Sequence, residues 1–186
     1  MKILKFFLMF AVLCAATSLS AQQGTSILKV GPSLYGFSAN GESNSYFGGG
    51  VAYEYGVSGN LSILLGADYN AKSESTTVSG VKISATASIL TIAPELRWYF
   101  DEATNGFFLG VQPSMHNYSV SASVGGTTTD GDKSTRYGAG GVLGFQFHLG
   151  SLALQLCGGY GAVFGKDSNE GTAGHYNINA QIGFKF

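Results

Sequence analysis

The sequence predicts an all-β protein, an eight-stranded antiparallel up-and-down transmembrane β-barrel. Three observations predict it. Apolar and polar residues alternate with period two through eight separate runs, the signature of strands with one face of each kind. The links between runs are alternately short and long. The polar face of the runs is nearly free of charge, in a chain where charged residues make up 11% and glycine numbers 28.

The chain opens with MKILKFFLMFAVLCAATSLSAQ. Lys2 and Lys5 precede an apolar run from Phe6 to Ala16, and the small residues Ser18, Ser20 and Ala21 follow. Basic, apolar, then small is the order of a secretory signal peptide. It is expected over residues 1–21, which leaves 22–186 as the barrel domain. Cleavage removes two lysines and takes the formal charge from −1 to −3, with Cys157 as the remaining cysteine. One thiol makes no internal disulfide, so stability must come from paired backbone and packing.

The eight runs fall at about 27–38, 46–58, 61–71, 86–100, 107–120, 135–149, 152–164 and 174–186. The first two alternate weakly, because Tyr35 and Phe37 fall on the polar parity of the first; a bulge there would account for them. The third sets Leu61, Ile63, Leu65, Ala67 and Tyr69 against Ser62, Leu64, Gly66, Asp68 and Asn70. In the fourth, Leu90, Ile92, Pro94, Leu96, Trp98 and Phe100 oppose Thr91, Ala93, Glu95, Arg97 and Tyr99. The last reads YNINAQIGFKF, with Tyr176, Ile178, Ile182 and Phe184 opposite Asn177, Asn179, Gln181 and Lys185. The pairs Gly59-Asn60 and Gly150-Ser151 and the stretch Asp101–Gly106 are short enough to close hairpins. Between them lie longer polar stretches, ANGESNS, KSESTTVSGVKIS, SASVGGTTTDGDKST and GKDSNEGT. Transmembrane barrels have this asymmetry, with short turns on one rim and long loops on the other.

A soluble β-sandwich would turn its polar parity to water and carry many charges there. Here that parity holds mostly Gly, Ser, Ala, Gln and Asn. Its charges are Lys29, Glu54, Asp68, Glu95, Arg97, Arg136 and Lys185, four positive and three negative. Such sparse and balanced charge suits a confined interior, where the seven are expected to neutralise one another as a structural network. The apolar parity then faces lipid. A cation placed at Ile182, on the lipid face, is expected to cost more than one at Gln181. Aromatic residues gather at both ends of the runs. Trp98, Phe100, Phe107, Phe147, Phe184 and Phe186 lie beside the short turns, and Tyr46, Phe47, Tyr69, Tyr118, Tyr137, Phe164 and Tyr176 toward the long loops. Two such belts are expected at the two headgroup levels.

The signal peptide, the segment IAPELRWYFDEATNGFFLGVQPS and the ending AQIGFKF resemble the small outer-membrane β-barrel proteins common in Bacteroidota, and more broadly eight-stranded barrels of the OmpA transmembrane-domain type. The resemblance implies residence in the outer membrane of a Gram-negative bacterium, with both termini periplasmic. It also implies that Phe184 and Phe186 form the terminal aromatic signal read by the barrel assembly machinery.

The expected partners are outer-membrane lipid and that machinery, with the barrel itself a monomer. Nucleic acid is not expected, since no Lys/Arg cluster is present. An eight-stranded barrel is just wide enough for side chains to fill it. The expected role is therefore structural or interactional, with loops 72–85 and 119–135 presenting a Ser/Thr/Gly-rich surface and with no cofactor, metal or catalytic residue. GGG at 48–50 and GAGGVLG at 138–144 read as strand glycines, since neither joins a strand to a helix or carries a nucleotide-loop lysine. Two alternatives stand beside this reading. One is a lipid-modifying enzyme, which would assemble a set such as His116, Ser119 and Glu170. The other is a narrow, porin-like channel or ligand-binding barrel.

Overall fold

The computed structural model describes residues 24–39, 42–164 and 173–186. The expected signal peptide, the stretch GKDSNEGT and Glu170 lie outside them. Eight strands run in chain order: β1 (Ser26–Ala39), β2 (Glu42–Gly56), β3 (Leu61–Val78), β4 (Val81–Tyr99), β5 (Gly106–Val124), β6 (Thr127–Leu149), β7 (Leu152–Phe164) and β8 (Ala173–Lys185). Each pairs antiparallel with the next, and β8 pairs back to β1 to close the barrel. Closure satisfies every strand edge at membrane depth, the condition for strands to cross a bilayer. The backbones of Ser26 and Phe186 bond to each other at 3.0 and 3.2 Å. Both ends of the described barrel therefore lie on the rim of the short turns.

The predicted parity holds in every strand. Phe47 (68% exposed), Val111 (59%), Leu143 (59%) and Leu156 (61%) point outward, while Glu54, Ser62, Arg97, His116 and Gln146 are buried inside. An outer surface this apolar and a polar interior are the reverse of a soluble barrel. Trp98, Phe100, Phe107 and Phe184 ring the short-turn end, and Phe47, Tyr69, Tyr137 and Phe164 the other end, all exposed.

Three sequence expectations are corrected. First, β1 contains no bulge: it stays in register with β2 from Ser26↔Tyr55 to Ala39↔Glu42. Tyr35 and Phe37 point into the barrel, where Tyr35, Tyr46 and Ile89 form an apolar cluster with Phe37 and Tyr118 packed against it. Second, Tyr46 and Tyr118 belong to that inner layer and not to the outer belt. Third, 72–85 and 119–135 are not irregular loops. β3 and β4 stay paired up to Val78↔Val81, and β5 and β6 up to Val124↔Thr127. The turns are Ser79-Gly80 (φ 51° and 80°) and Gly125-Gly126 (φ 57° and 90°). Positive φ at both central residues is what a type I′ hairpin turn requires.

Among the described residues, β3 parts from β2 above Phe47↔Ala71, and β6 meets β7 from Tyr137↔Phe164 downward. Beyond those rungs β3–β6 continue as a four-stranded sheet that pairs with no other strand among the described residues, with side chains exposed on both faces. A bulge between Ser119 and Ser121 interrupts its β5–β6 ladder.

Candidate functional site in the barrel interior

The interior is layered. At the short-turn end the segment between β4 and β5 folds inward. Thr104, at φ 67° and almost wholly buried, offers its carbonyl to the Gln146 amide and to His148 Nε2 (2.6 Å). The turn is thereby fastened to the inner face of β6.

Above it lies the charged layer. Lys29 of β1 pairs with Glu54 of β2 and also donates to Gln146 and Gln155. Arg97 of β4 makes a two-pronged pair with Glu95, through Nε at 2.7 Å and Nη2 at 3.1 Å. Its Nη1 donates to Gln155 Oε1 at 2.7 Å and lies 3.5 Å from Glu54 Oε2. Glu54 further accepts from Ser62 Oγ and, at 2.8 Å, from the Tyr99 hydroxyl. Two cations and two carboxylates thus share one layer, each buried. Burying such ions costs several kcal/mol apiece unless charge and hydrogen bonds are both supplied, and here both are. The Arg97 guanidinium also lies 4.2 Å from the centre of the Phe108 ring. Tyr99, Phe108, Val142 and Cys157 fill the space beside it.

Small residues make room for these groups. A Cβ on Gly110 would come within 2.5 Å of Glu95 Oε1, and one on Gly144 within 2.5 Å of the Phe108 ring and 2.6 Å of Cys157. Higher still are a polar chamber and then the aromatic layer. There His116 and His175 meet with ring centres 5.3 Å apart, beside Tyr35.

Of the seven charges expected in one network, the structure brings Lys29, Glu54, Glu95 and Arg97 together. Asp68 lies in the chamber above them. Arg136, half-buried, is level with His116 near the far end. Lys185 is exposed at the short-turn rim because β8 ends there, and its parity no longer points at an interior. Phe184 and Phe186 are exposed on that rim, at 56% and 72%. The sequence reading missed the neutral partners Gln146 and Gln155. Their inward parity was the available signal.

The set drawn up for a lipid-modifying enzyme does not assemble. His116 points inward and bonds Ser114 Oγ at 2.8 Å and Thr91 Oγ1 at 3.0 Å, whereas Ser119, three residues on, has the opposite parity and faces outward. His116 is fully buried, out of reach of a lipid substrate. Among the described residues, no three His, Cys, Asp or Glu are grouped to hold a metal ion.

The architecture has known counterparts. The attachment invasion locus protein Ail of Yersinia pestis is similar over 89% of this chain and all of its own, with TM-score 0.61 and 11% identity. In its complex with the heparin analogue sucrose octasulfate the values are 0.58 and 15%. Neisserial surface protein A is similar over 88% of this chain and all of its own, with TM-score 0.62 and 14% identity. At such identities the likeness is one of fold. No curated protein sequence matches the chain. A family model described as "Protein of unknown function (DUF3575)" matches residues 8–184, and the chain belongs to that family.

Proposed function

We propose that the protein is a monomeric outer-membrane barrel that serves as a closed anchor, with the β3–β6 sheet as its working surface. The observation that carries this reading is the contrast between the two parts. The barrel interior is blocked by the inward turn at Thr104, the Lys29–Glu54–Arg97–Glu95 layer and the Tyr35 aromatic layer. The sheet continues beyond it and exposes Ser, Thr and Val on its two faces. In this reading both termini are periplasmic, because the short turns share their rim, and the sheet projects outward from the cell.

Ail has been solved with a heparin analogue; on the sheet here positive charge is balanced by negative. Lys72, Lys82 and Lys133 are matched by Glu74, Asp130 and Asp132, and Lys72 is already paired with Glu74 at 2.9 Å. The contacts it favours are hydrogen bonds from hydroxyls and from the backbone edge of β3 over residues 72–78, which pairs with no other strand among the described residues, a template for an extended segment.

Planar bilayers test the first half: the folded protein should pass no stepwise current, and discrete conductance would refute a closed anchor. A variant trimmed above Lys72↔Ala87 and Val120, with the strands rejoined by Asn-Gly turns, tests the second. It should fold and insert as the full chain does, yet fail to restore the surface phenotype of a strain lacking the protein. Full restoration would refute the assignment of the sheet.

A further inference from the structure

The sheet formed by the upper parts of β3–β6 is two-faced, and its faces reverse those of the barrel below. Alternate residues along a strand share a face, and so do residues paired directly across strands. On β4 the lipid-facing parity runs through Trp98, Leu96, Ile92 and Leu90 and then changes to Ser88, Thr86 and Ser84. On β5 it runs through Leu109, Val111 and Met115 and then changes to Asn117, Ser119, Ser121 and Ser123. The pairings Ser73↔Thr86↔Ser121 and Ser75↔Ser84↔Ser123 carry this hydroxyl face onto β3, and Thr128, opposite Ser123, extends it onto β6. The parity that lines the barrel below carries Val81, Ile83, Val120 and Val124 here, each 36–53% exposed.

Position is the first clue to what the outer face meets. It continues upward the wall that faces acyl chains, past Tyr69 and Tyr137 of the aromatic belt. Such a belt marks the headgroup level, so the layer beside the hydroxyls is the hydrated headgroup layer of the same leaflet.

Charge is the second. Lys82 lies on this face opposite Thr77, and Lys133 is 3.8 Å from Asp130, so cation and carboxylate nearly cancel. Binding phosphate calls for clustered cations, and the face offers hydroxyls instead. A hydroxyl both donates and accepts, as the 2.8 Å bond between Ser73 and Thr86 illustrates. Sugar hydroxyls have the same double capacity, and a neutral sugar asks for no counter-charge.

We propose that the hydroxyl face of the β3–β6 sheet docks the sugar residues of outer-leaflet glycolipid, which lie against it as acyl chains lie against the barrel wall. The proposal rests on the reading of the sheet as the working surface and names the partner of its outer face. Each contact is a weak hydrogen bond, and the acyl anchor holds the sugars beside the sheet at high effective concentration.

The test places the full barrel in nanodiscs of phospholipid with rough-type lipopolysaccharide and records NMR cross-relaxation from sugar-ring protons to protein methyls. Thr77, Thr86 and Thr128, on the outer face, should receive it, and Val81, Ile83 and Val124, on the inner face, should not. Phospholipid discs with free core oligosaccharide at the same concentration should show none. Native mass spectrometry should find several-fold less lipopolysaccharide retained by the double variant Ser84→Leu, Ser121→Leu, and unchanged retention by Ile83→Ser. Silent threonine methyls, equal transfer to both faces, equal transfer from the free oligosaccharide or undiminished retention by the double variant each overturn the proposal. If that variant fails to fold, the wild-type spectra still decide. A nanodisc presents two like leaflets, so these failures refute sugar docking alone, and the phenotype of the trimmed variant separately decides the role of the sheet.

Discussion

Arg97 is the group on which most of the charged layer depends, and its removal can be worked through. Arg97→Leu deletes two bonds to Glu95, one to Gln155, the 3.5 Å approach to Glu54 and the contact over Phe108. Glu95 is left with one bond, from Gln112 Nε2 at 3.4 Å, and the layer holds two carboxylates against Lys29 alone. Breaking a buried pair from one side costs about 3–5 kcal/mol, because the abandoned charge stays buried. Replacing Glu95 by Leu as well removes that charge, and Gln155 keeps its bond to Lys29. The double variant should therefore be more stable than Arg97→Leu by roughly 2 kcal/mol, within the usual range of coupling for neighbours in contact. Urea unfolding in lipid vesicles, followed by fluorescence of Trp98, measures all four corners of the cycle, since Trp98 points to the opposite face of β4. Additive losses would refute the account of the layer.

Other consequences are equally concrete. Gly144→Ala drives a methyl into Phe108 and Cys157 and should cost about 1–3 kcal/mol. Gly141→Ala, on the outward face with its nearest atom 3.8 Å away, should cost little, and urea midpoints compare the two. Ile182→Arg puts a cation on the lipid face and should cost up to about 2–4 kcal/mol by the same titration. A cation at Gln181 carries a cost of its own, because Gln181 lies 3.3 Å from Gln155, which already serves both Lys29 and Arg97. Gln181→Glu should be tolerated better than Gln181→Arg, and the reverse order would count against the charge distribution. Deleting Phe186 removes two backbone bonds to Ser26 and an exposed ring, and should slow assembly in cells more than it lowers the urea midpoint. Equal insertion rates would sink its proposed role as an assembly mark.

The strands were legible because each faces two different environments, and a period-two pattern records that difference directly. It failed where the two environments became alike. Tyr35, Phe37 and Tyr46 are apolar groups on the inward parity, and alternation cannot distinguish an aromatic interior from a bulge or a belt. Above Ala71 and Thr135 both faces of the sheet meet water, so KSESTTV and TTTDGDKST lose alternation and look like loop. The Ser79-Gly80 and Gly125-Gly126 turn pairs were the remaining clue. Charges announced the ion-paired layer, but parity says nothing of height along the barrel. Hence Asp68, Arg136 and Lys185 were grouped with residues at other levels, while Gln146 and Gln155, with no charge to announce them, were overlooked.

The central claim is that the apolar parity meets lipid around a filled polar interior. Trp98, the chain's single tryptophan and 52% exposed on that parity, tests it directly in the unmodified protein. In vesicles made with brominated lipids its fluorescence should be strongly quenched, and aqueous iodide should quench it weakly. Quenching by iodide with no response to the brominated chains would contradict the account.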